Sequence, residues 1–341
     1  MDRSARLLGR STRESLILEV GAGYNPVAPK AAGWRTHVVD HADQATLRTK
    51  YAPAAVDIDR IEPVDTVWTG GGLDQAVPPE LLGQFDTMIA SHVLEHMPDL
   101  IGFLESAKRL MRPDGVISVA LPDRRYCFDC LKPPTTTADL LEAHRLGRTR
   151  HAFRTAWNHV GYSTTLNGAL GWDAGSPGEP RLVESLPVAH ALASAHDDGP
   201  DATYVDFHCW FFTPAGFQLV MLELGQVGAI DWFVADVTGT TGFEFFAFLR
   251  RGVQRPMDPE RLATARMALI REQLREQLVV INRFCPTTEP ATPAVSNDDR
   301  LGQLVTRSAE TLERLRSLEI TVTALAQRPS LPGRIWRRLF G

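Results

Sequence analysis

Residues 16–26 read LILEVGAGYNP, Leu16 to Pro26. The first half has the make-up of a buried strand, and the second turns through two glycines, a tyrosine, an asparagine and a proline. Four further short apolar runs share its character: THVVD (36–40), VDTVW (64–68), FDTMIASH (85–92) and GVISVALP (115–122). They are continuous rather than alternating, as expected of strands covered on both faces. Between the last two, Asp99 is placed to cap a helix. Its apolar stripe is Leu100, Phe103, Leu104, Ala107 and Leu110, and Pro113 to Gly115 are expected to end it. Strand–helix–strand repetition implies a parallel, doubly wound α/β sheet with right-handed crossovers.

Outward from this core the pattern changes. Residues 123–205 carry loop signals such as LKPPTTTAD and LGWDAGSPGEP around one clear helix, TADLLEAHRLGR, and read as an irregular and helical insertion. Order returns over 206–251. Thr213 and Pro214 open a helix that stops near Gly225, and AIDWFVADV and FEFFAFLRR form an antiparallel pair around TGTTG. After Arg251 two long helices are expected, Met257–Phe284 and Asn297–Gln327, joined by a Pro- and Thr-rich linker. Leu301, Leu304, Leu312, Leu315, Val322 and Leu325 approximate a heptad seam, which suits a coiled coil or packing on the chain's own domain. The tail LPGRIWRRLFG mixes arginines with Ile, Trp, Leu and Phe, a composition that can touch an anionic membrane surface or a partner protein. The divisions are thus 1–122, 123–205, 206–251 and 252–341.

Bulk composition sets limits. With 341 residues, 44% hydrophobic and 23% charged, the chain has globular proportions. No apolar run reaches the roughly 20 residues that span a bilayer, and MDRSARLLGRSTRES lacks the apolar stretch of a signal peptide, so a cytoplasmic protein is expected. A net charge of −5 without a basic block in the first 250 residues argues against nucleic acid as a partner. The four cysteines, Cys127, Cys130, Cys209 and Cys285, suit a reducing compartment. Cys127 and Cys130 form a C-x-x-C with no second half beyond Cys209 beside His208, and no metal is expected.

The glycine turn restricts its ligand. A dinucleotide fingerprint G-x-G-x-x-G requires glycine at 26, where Pro26 stands, and NPVAPKAAGW is poor material for the helix whose N-terminus holds phosphate. No G-K-S/T follows, so a P-loop is excluded. Instead Glu19 precedes Gly21 and Gly23, and Asp40 ends the next strand, where a carboxylate can accept both ribose hydroxyls. Glu19 could balance a ligand cation. A nucleoside carrying positive rather than negative charge fits, and S-adenosylmethionine is one.

With LEVGAGYNP, the strand-ending VVD, FDTMIASHVLEHMPDLIGFLESAKRLMRPDGVISVALPD and the closing hairpin, the sequence resembles the class I S-adenosylmethionine-dependent methyltransferases over roughly 15–122 and 212–250. The resemblance implies a Rossmann-like seven-stranded sheet with its last strand antiparallel. It implies that Glu19, Gly21 and Gly23 hold the methionine portion, with Asn25 adjoining, and that Asp40, followed by His41, holds the ribose. The resemblance further implies that residues near Thr69 to Leu73, Gly70 among them, border the adenine, and that Ser91 and His92 sit beside the methyl group. NPVAPKAAGW, PDRRYCFD and FHCWFFTP more distantly resemble methyltransferases of bacterial surface-polysaccharide biosynthesis, which makes a sugar hydroxyl the expected acceptor.

His92 is the first candidate for general base, with packing or a cofactor contact as its alternative role. Asp123 follows the fifth strand and is the second candidate, or else pairs with Arg124 or Arg125. Those arginines and Tyr126 could clamp an anionic or sugar group, or form a solvated turn. His208 precedes an aromatic run that could line a sugar site or the core. His96 suits a structural hydrogen bond, and His144, His151 and His159 lie in the insertion. The expected function is an O-methyltransferase acting on a glycan or sugar nucleotide. Small-molecule, lipid or protein acceptors are one alternative, and a non-catalytic scaffold is another.

Overall fold

The computed structural model describes residues 2–199, 202–252 and 257–286. A short helix α1 (Arg3–Leu8) leads into β1 (Leu16–Val20), β2 (Arg35–Asp40), α2 (Gln44–Tyr51), β3 (Thr66–Val67), α3 (Leu73–Ala76), β4 (Phe85–Ser91), α4 (Leu100–Leu110) and β5 (Met111–Pro122). The insertion contributes α5 (Thr137–Arg145), α6 (Phe153–Gly161), the two-residue strands β6 (Thr164–Thr165) and β7 (Arg181–Leu182), and α7 (Leu186–Ser194). Then come α8 (Pro214–Gln226), β8 (Trp232–Val237), β9 (Glu244–Arg251) and α9 (Pro259–Phe284).

Seven strands form one sheet in the order β3-β2-β1-β4-β5-β9-β8. β1 to β5 pair in parallel, and β9 runs antiparallel to both β5 and β8. This is the doubly wound Rossmann-like sheet expected, with its last strand reversed. Both faces are covered because neighbouring residues in one strand point opposite ways. Leu18 and Met88 enter the main core with α4 and α8, whereas Ile17 and Ile89 meet Leu7 of α1, Val27 and Phe246 on the other side.

The α4 helix forms as its sequence dictates. Asp99 Oδ1 accepts the Gly102 amide at 2.9 Å, and Leu100, Phe103, Leu104, Ala107 and Leu110 are all buried. Each such leucine is worth about 1.5–3 kcal/mol of burial. The helix stops at Leu110, earlier than the Pro113–Gly115 turn suggested. Met111 already pairs with Phe85, and the register then jumps so that Val116 faces Thr87, leaving Arg112 to Gly115 as an irregularity within the strand. In α8, Thr213 accepts the Gly216 amide and Pro214 takes the first turn. The hairpin is locked to α4 by buried Trp232, whose indole donates to the Leu104 carbonyl at 2.9 Å.

The α9 helix packs on α8, where Glu276 accepts the Ala215 amide at 3.2 Å and Arg266 pairs with Glu223 at 2.7 Å. Its neighbour in sequence, the expected helix 297–327, and the basic-aromatic tail lie outside the described residues.

Candidate functional site

The strand order reverses between β1 and β4, and the carboxyl ends of those strands bound the crevice where open α/β sheets take ligands. The Gly21–Gly23 turn forms one side. Gly21 has φ +68° and donates to the Val39 carbonyl at 2.8 Å, and a Cβ there would lie 3.0 Å from Val93 Cγ2. Gly23, at φ +49°, donates to Asp40 Oδ2 at 3.0 Å, and a Cβ there would meet only the Tyr51 ring, no nearer than 3.7 Å. Glycine is thus required at 21 for conformation and space alike, and at 23 for conformation.

Asp40 is 5% exposed. Its Oδ1 takes the backbone and ring N–H of His41 at 2.8 and 2.7 Å, and Lys50 Nζ lies 3.2 Å from His41 Nε2. Among the described residues Oδ2 is held by Gly23 alone, and it keeps capacity for a further donor such as a ribose hydroxyl. No α-helix opens at the turn, so there is no helix N-terminus to hold a phosphate. The turn therefore fits an uncharged or cationic nucleoside. Asn25 and Tyr24 are exposed beyond it, with Tyr24 edge-on to Tyr51 at 5.0 Å. Gly70, at φ +138°, is exposed after β3, within reach of the Arg150 guanidinium of the insertion.

Glu19 departs from the expectation of a ligand contact. It is 2% exposed, and its two oxygens accept the amides of Val27 and Ala28 at 2.6 and 3.0 Å. Burial pushes its pKa up to about 7 against the pull of those hydrogen bonds. It acts behind the turn, holding buried Pro26, Val27 and Ala28 where many sheets of this kind would place a helix.

At the end of β4, His92 adopts φ +54°, a strained conformation for a non-glycine residue. Its amide donates to the Ala120 carbonyl at 2.9 Å, its Nε2 lies 2.9 Å from Glu244 Oε2, and its Nδ1 lies 3.2 Å from Glu95 Oε1. Burial lowers the pKa of this imidazole, but the carboxylates of Glu244 and Glu95 more than reverse that and carry it up to about 9. The ring therefore holds its proton at neutral pH and is a poor base in this state. Glu244 is shared with Arg3 of α1 at 2.8 Å, and Arg3 also reaches the Ser91 hydroxyl.

The residues after β5 turn inward. Asp123 is fully buried, accepts from Arg125 and Thr240, and also caps its own turn at the Arg125 amide, so its oxygens are engaged by internal partners, which answers to the alternative of pairing with Arg125. Arg125 is consumed by that pair. Arg124, 6% exposed, donates to the carbonyls of Cys130 and Lys132. Tyr126 is 7% exposed and packs with Cys130, Leu166 and Trp172. The expected substrate clamp is thus a structural turn, because guanidiniums this deep must be satisfied internally. Cys127 and Cys130 are buried free thiols, with Cys130 Sγ 3.3 Å from the Thr164 hydroxyl.

His208 belongs to a buried polar chain. Its Nδ1 lies 2.7 Å from Asp129 Oδ2, Asp129 pairs with fully buried Lys132 at 2.5 Å, and its ring meets His96 edge-on at 4.5 Å. Although burial opposes it, the Lys132 ammonium and the hydrogen bonds from His208 and Lys132 hold Asp129 far below the usual carboxylate range. Burial keeps His208 below its ordinary value. Cys209 donates its amide to the Glu95 carbonyl at 2.7 Å, which fixes this segment against the 94–97 turn. Sequence reasoning missed Arg3, Glu95, Asp129, Lys132, Asp206 and Glu244. Only Glu95 carried a signal, as an acid between Leu94 and His96 just past a strand end.

A family model described as a methyltransferase domain matches residues 1–175. No curated protein matches the chain. Among solved structures it is similar to a protein described as a zinc-dependent alcohol dehydrogenase from Rhodobacter sphaeroides (12% identity, 74% of this chain and 89% of that one, TM-score 0.38). It is also similar to the 1,6-didemethyltoxoflavin N1-methyltransferase of Burkholderia thailandensis, solved with S-adenosylhomocysteine (13%, 73% and 76%, 0.37). A third is the CcbJ methyltransferase of Streptomyces caelestis (13%, 73% and 94%, 0.38). Likenesses this distant say nothing of substrate. The family match agrees with the glycine turn and Asp40, whose free acceptor capacity suits a ribose without phosphate: the chain belongs to the methyltransferase domain family and is an enzyme whose cofactor is S-adenosylmethionine.

Proposed function

We propose that the protein is an O-methyltransferase that methylates a sugar hydroxyl of a glycan or sugar nucleotide. The observation supporting the acceptor class is a cleft of about 300 Å³ of mixed lining, in which Thr135, Thr136, Asp139, Glu142, Arg148 and Asn158 stand beside Pro98, Pro133, Pro134 and the edge of the largely buried Trp210. Hydroxyl, carboxylate and guanidinium groups suit a polyol, and an indole suits the C–H face of a sugar ring. A lipid would favour a predominantly apolar lining.

In this reading Gly21 and Gly23 carry the methionine portion, Asp40 and His41 the ribose, and Gly70 the adenine edge, with Asn25 at the rim and Ser91 and His92 beside the methyl. The bound cofactor supplies an electrophilic methyl on a sulfonium. The protein's part is to orient the acceptor oxygen and exclude water. An acceptor hydroxyl must lose its proton, and neither protonated His92 nor saturated Asp123 is free to take it.

The remaining expectations join this proposal: a cytoplasmic enzyme without nucleic-acid partners, peripheral contact with the membrane through the tail, and self-association through C-terminal residues. No helix among the described residues is long and apolar enough to cross a membrane. Incubating the full chain with labelled cofactor and arrays of glycans, sugar nucleotides, lipids and small aromatic acceptors tests the reading. Label on a sugar oxygen is expected, whereas label confined to amines, lipids or protein refutes it. Removal of residues 256–341 with no change in oligomeric state refutes self-association through the C-terminal helices.

A further inference from the structure

Glu95 is completely buried, yet neither carboxylate oxygen has a hydrogen-bond partner among the described residues. His92 Nδ1 stands 3.2 Å from Oε1 as an ion pair, outside hydrogen-bond geometry. His92 counters the charge, but buried carboxylate oxygens with open acceptor positions are costly, and an ion or water is their ordinary occupant.

Two imidazoles face the same carboxylate. One ligand atom each from Glu95, His96 and His208 lie within 4.8 Å of one another, with His96 Nε2 4.0 Å from Glu95 Oε1. An acid stands by the other nitrogen of each histidine: His208 Nδ1 is hydrogen-bonded to Asp129 Oδ2 at 2.7 Å, and His96 Nδ1 lies 2.8 Å from Asp206 Oδ1 as an ion pair outside hydrogen-bond geometry. This carboxylate–histidine pairing orients metal-ligating imidazoles and leaves Nε2 toward the metal. Donor atoms around a tetrahedral cation at about 2.0–2.1 Å stand roughly 3.3 Å apart, so small side-chain shifts close the set. Three independent segments converge on the point: the 94–96 turn after β4, the 206–209 strand-like run, and the 127–132 turn that supplies Asp129.

We propose that Glu95, His96 and His208 form a binding site for one first-row divalent cation of the zinc or manganese class. Two imidazoles and one carboxylate suit such ions better than magnesium, which prefers oxygen ligands. A His2Glu set leaves a coordination position open. The site lies one turn beyond His92, at the carboxyl edge of the sheet that carries the glycine turn. Resting on the O-methylation reading, the open position takes the acceptor oxygen, where a cation would ease its proton loss. This assignment departs from the expectation that no metal is present and does not involve the C-x-x-C.

The full chain, stripped with a chelator, is titrated with Zn²⁺, Mn²⁺ and Mg²⁺ by calorimetry, and with Co²⁺ by visible absorption. Expected are one site, weaker binding of Mg²⁺, and cobalt d–d bands without thiolate charge transfer. Glu95→Gln, nearly isosteric, and His208→Gln should each abolish that site. Asp206→Asn, at a half-exposed second-row position, should weaken it by about 10–100-fold. The cation should raise the melting temperature of wild type but not of Glu95→Gln, a comparison that also shows the variant is folded. Absence of one-to-one binding, binding that survives Glu95→Gln, or a thiolate band overturns the site. A bound cation whose removal leaves methyl transfer unchanged overturns only its role with the acceptor, and label on a non-oxygen acceptor overturns the O-methylation reading instead.

Discussion

Glu19 offers a sharp test because its two states differ so much in the folded chain. The carboxyl is 2% exposed and its pKa is raised from 4.5 to about 7, chiefly by burial. Between those values the folded form binds more protons than the unfolded form, so stability falls as pH rises through the interval. A shift of about 2.5 units corresponds to about 3 kcal/mol, present below pH 4.5 and lost by pH 8. Glu19→Gln removes the titration while keeping one acceptor for the Val27 and Ala28 amides, at a cost of about 1 kcal/mol for the bond it loses. Urea unfolding of both proteins at pH 5 and pH 8 reads the difference. Wild type should lose about 2.5 kcal/mol more than the variant over that span, because the unfolded carboxyl is already mostly ionised at pH 5, and the variant should be the more stable of the two at pH 8. If both proteins show the same pH dependence, Glu19 is ionised throughout and its hydrogen bonds outweigh its desolvation.

Asp40→Ala should weaken S-adenosylhomocysteine binding by at least 10-fold in calorimetry, as a charged acceptor is worth about 1.5–3 kcal/mol per hydrogen bond; unchanged affinity removes Asp40 from the cofactor site. Gly21→Ala should lower the melting temperature, with about 1–2 kcal/mol from φ +68° and more from Val93 at 3.0 Å. A melting temperature equal to wild type would show that the turn has another accessible conformation. Lys132→Met should cost about 3–5 kcal/mol in denaturant titration, because it strands Asp129 in the interior, and a loss below 1 kcal/mol would mean that water reaches Asp129.

The local rules carried far. Apolar runs of strand length, the Asp99 and Thr213 caps and the reversed hairpin were all legible, because propensity, capping and periodicity are short-range properties. The cofactor turn was legible too, since positive φ at Gly21 and a carboxylate at Asp40 must be encoded by residue type. Misreadings share one physical origin. Glu19, Asp123, Arg124 and Arg125 are charged residues next to a ligand crevice, and sequence says only that they are charged. Whether such a group meets solvent, ligand or an internal partner depends on depth, and depth is a product of packing. The α1 helix was overlooked for a related reason: its six residues carry one buried leucine, and its value lies in Arg3 reaching Glu244 across 241 positions.

By itself, then, the sequence determined the doubly wound sheet and the phosphate-free character of its glycine turn, because each is written in neighbouring residues. Only tertiary structure decided which charges are spent inside the molecule. It brought Glu95, His96 and His208 together from segments more than a hundred residues apart and left Glu95 without a hydrogen bond to its carboxylate among the described residues. Side-chain pairing at that distance is set by how the chain closes over the sheet, for which no local pattern exists.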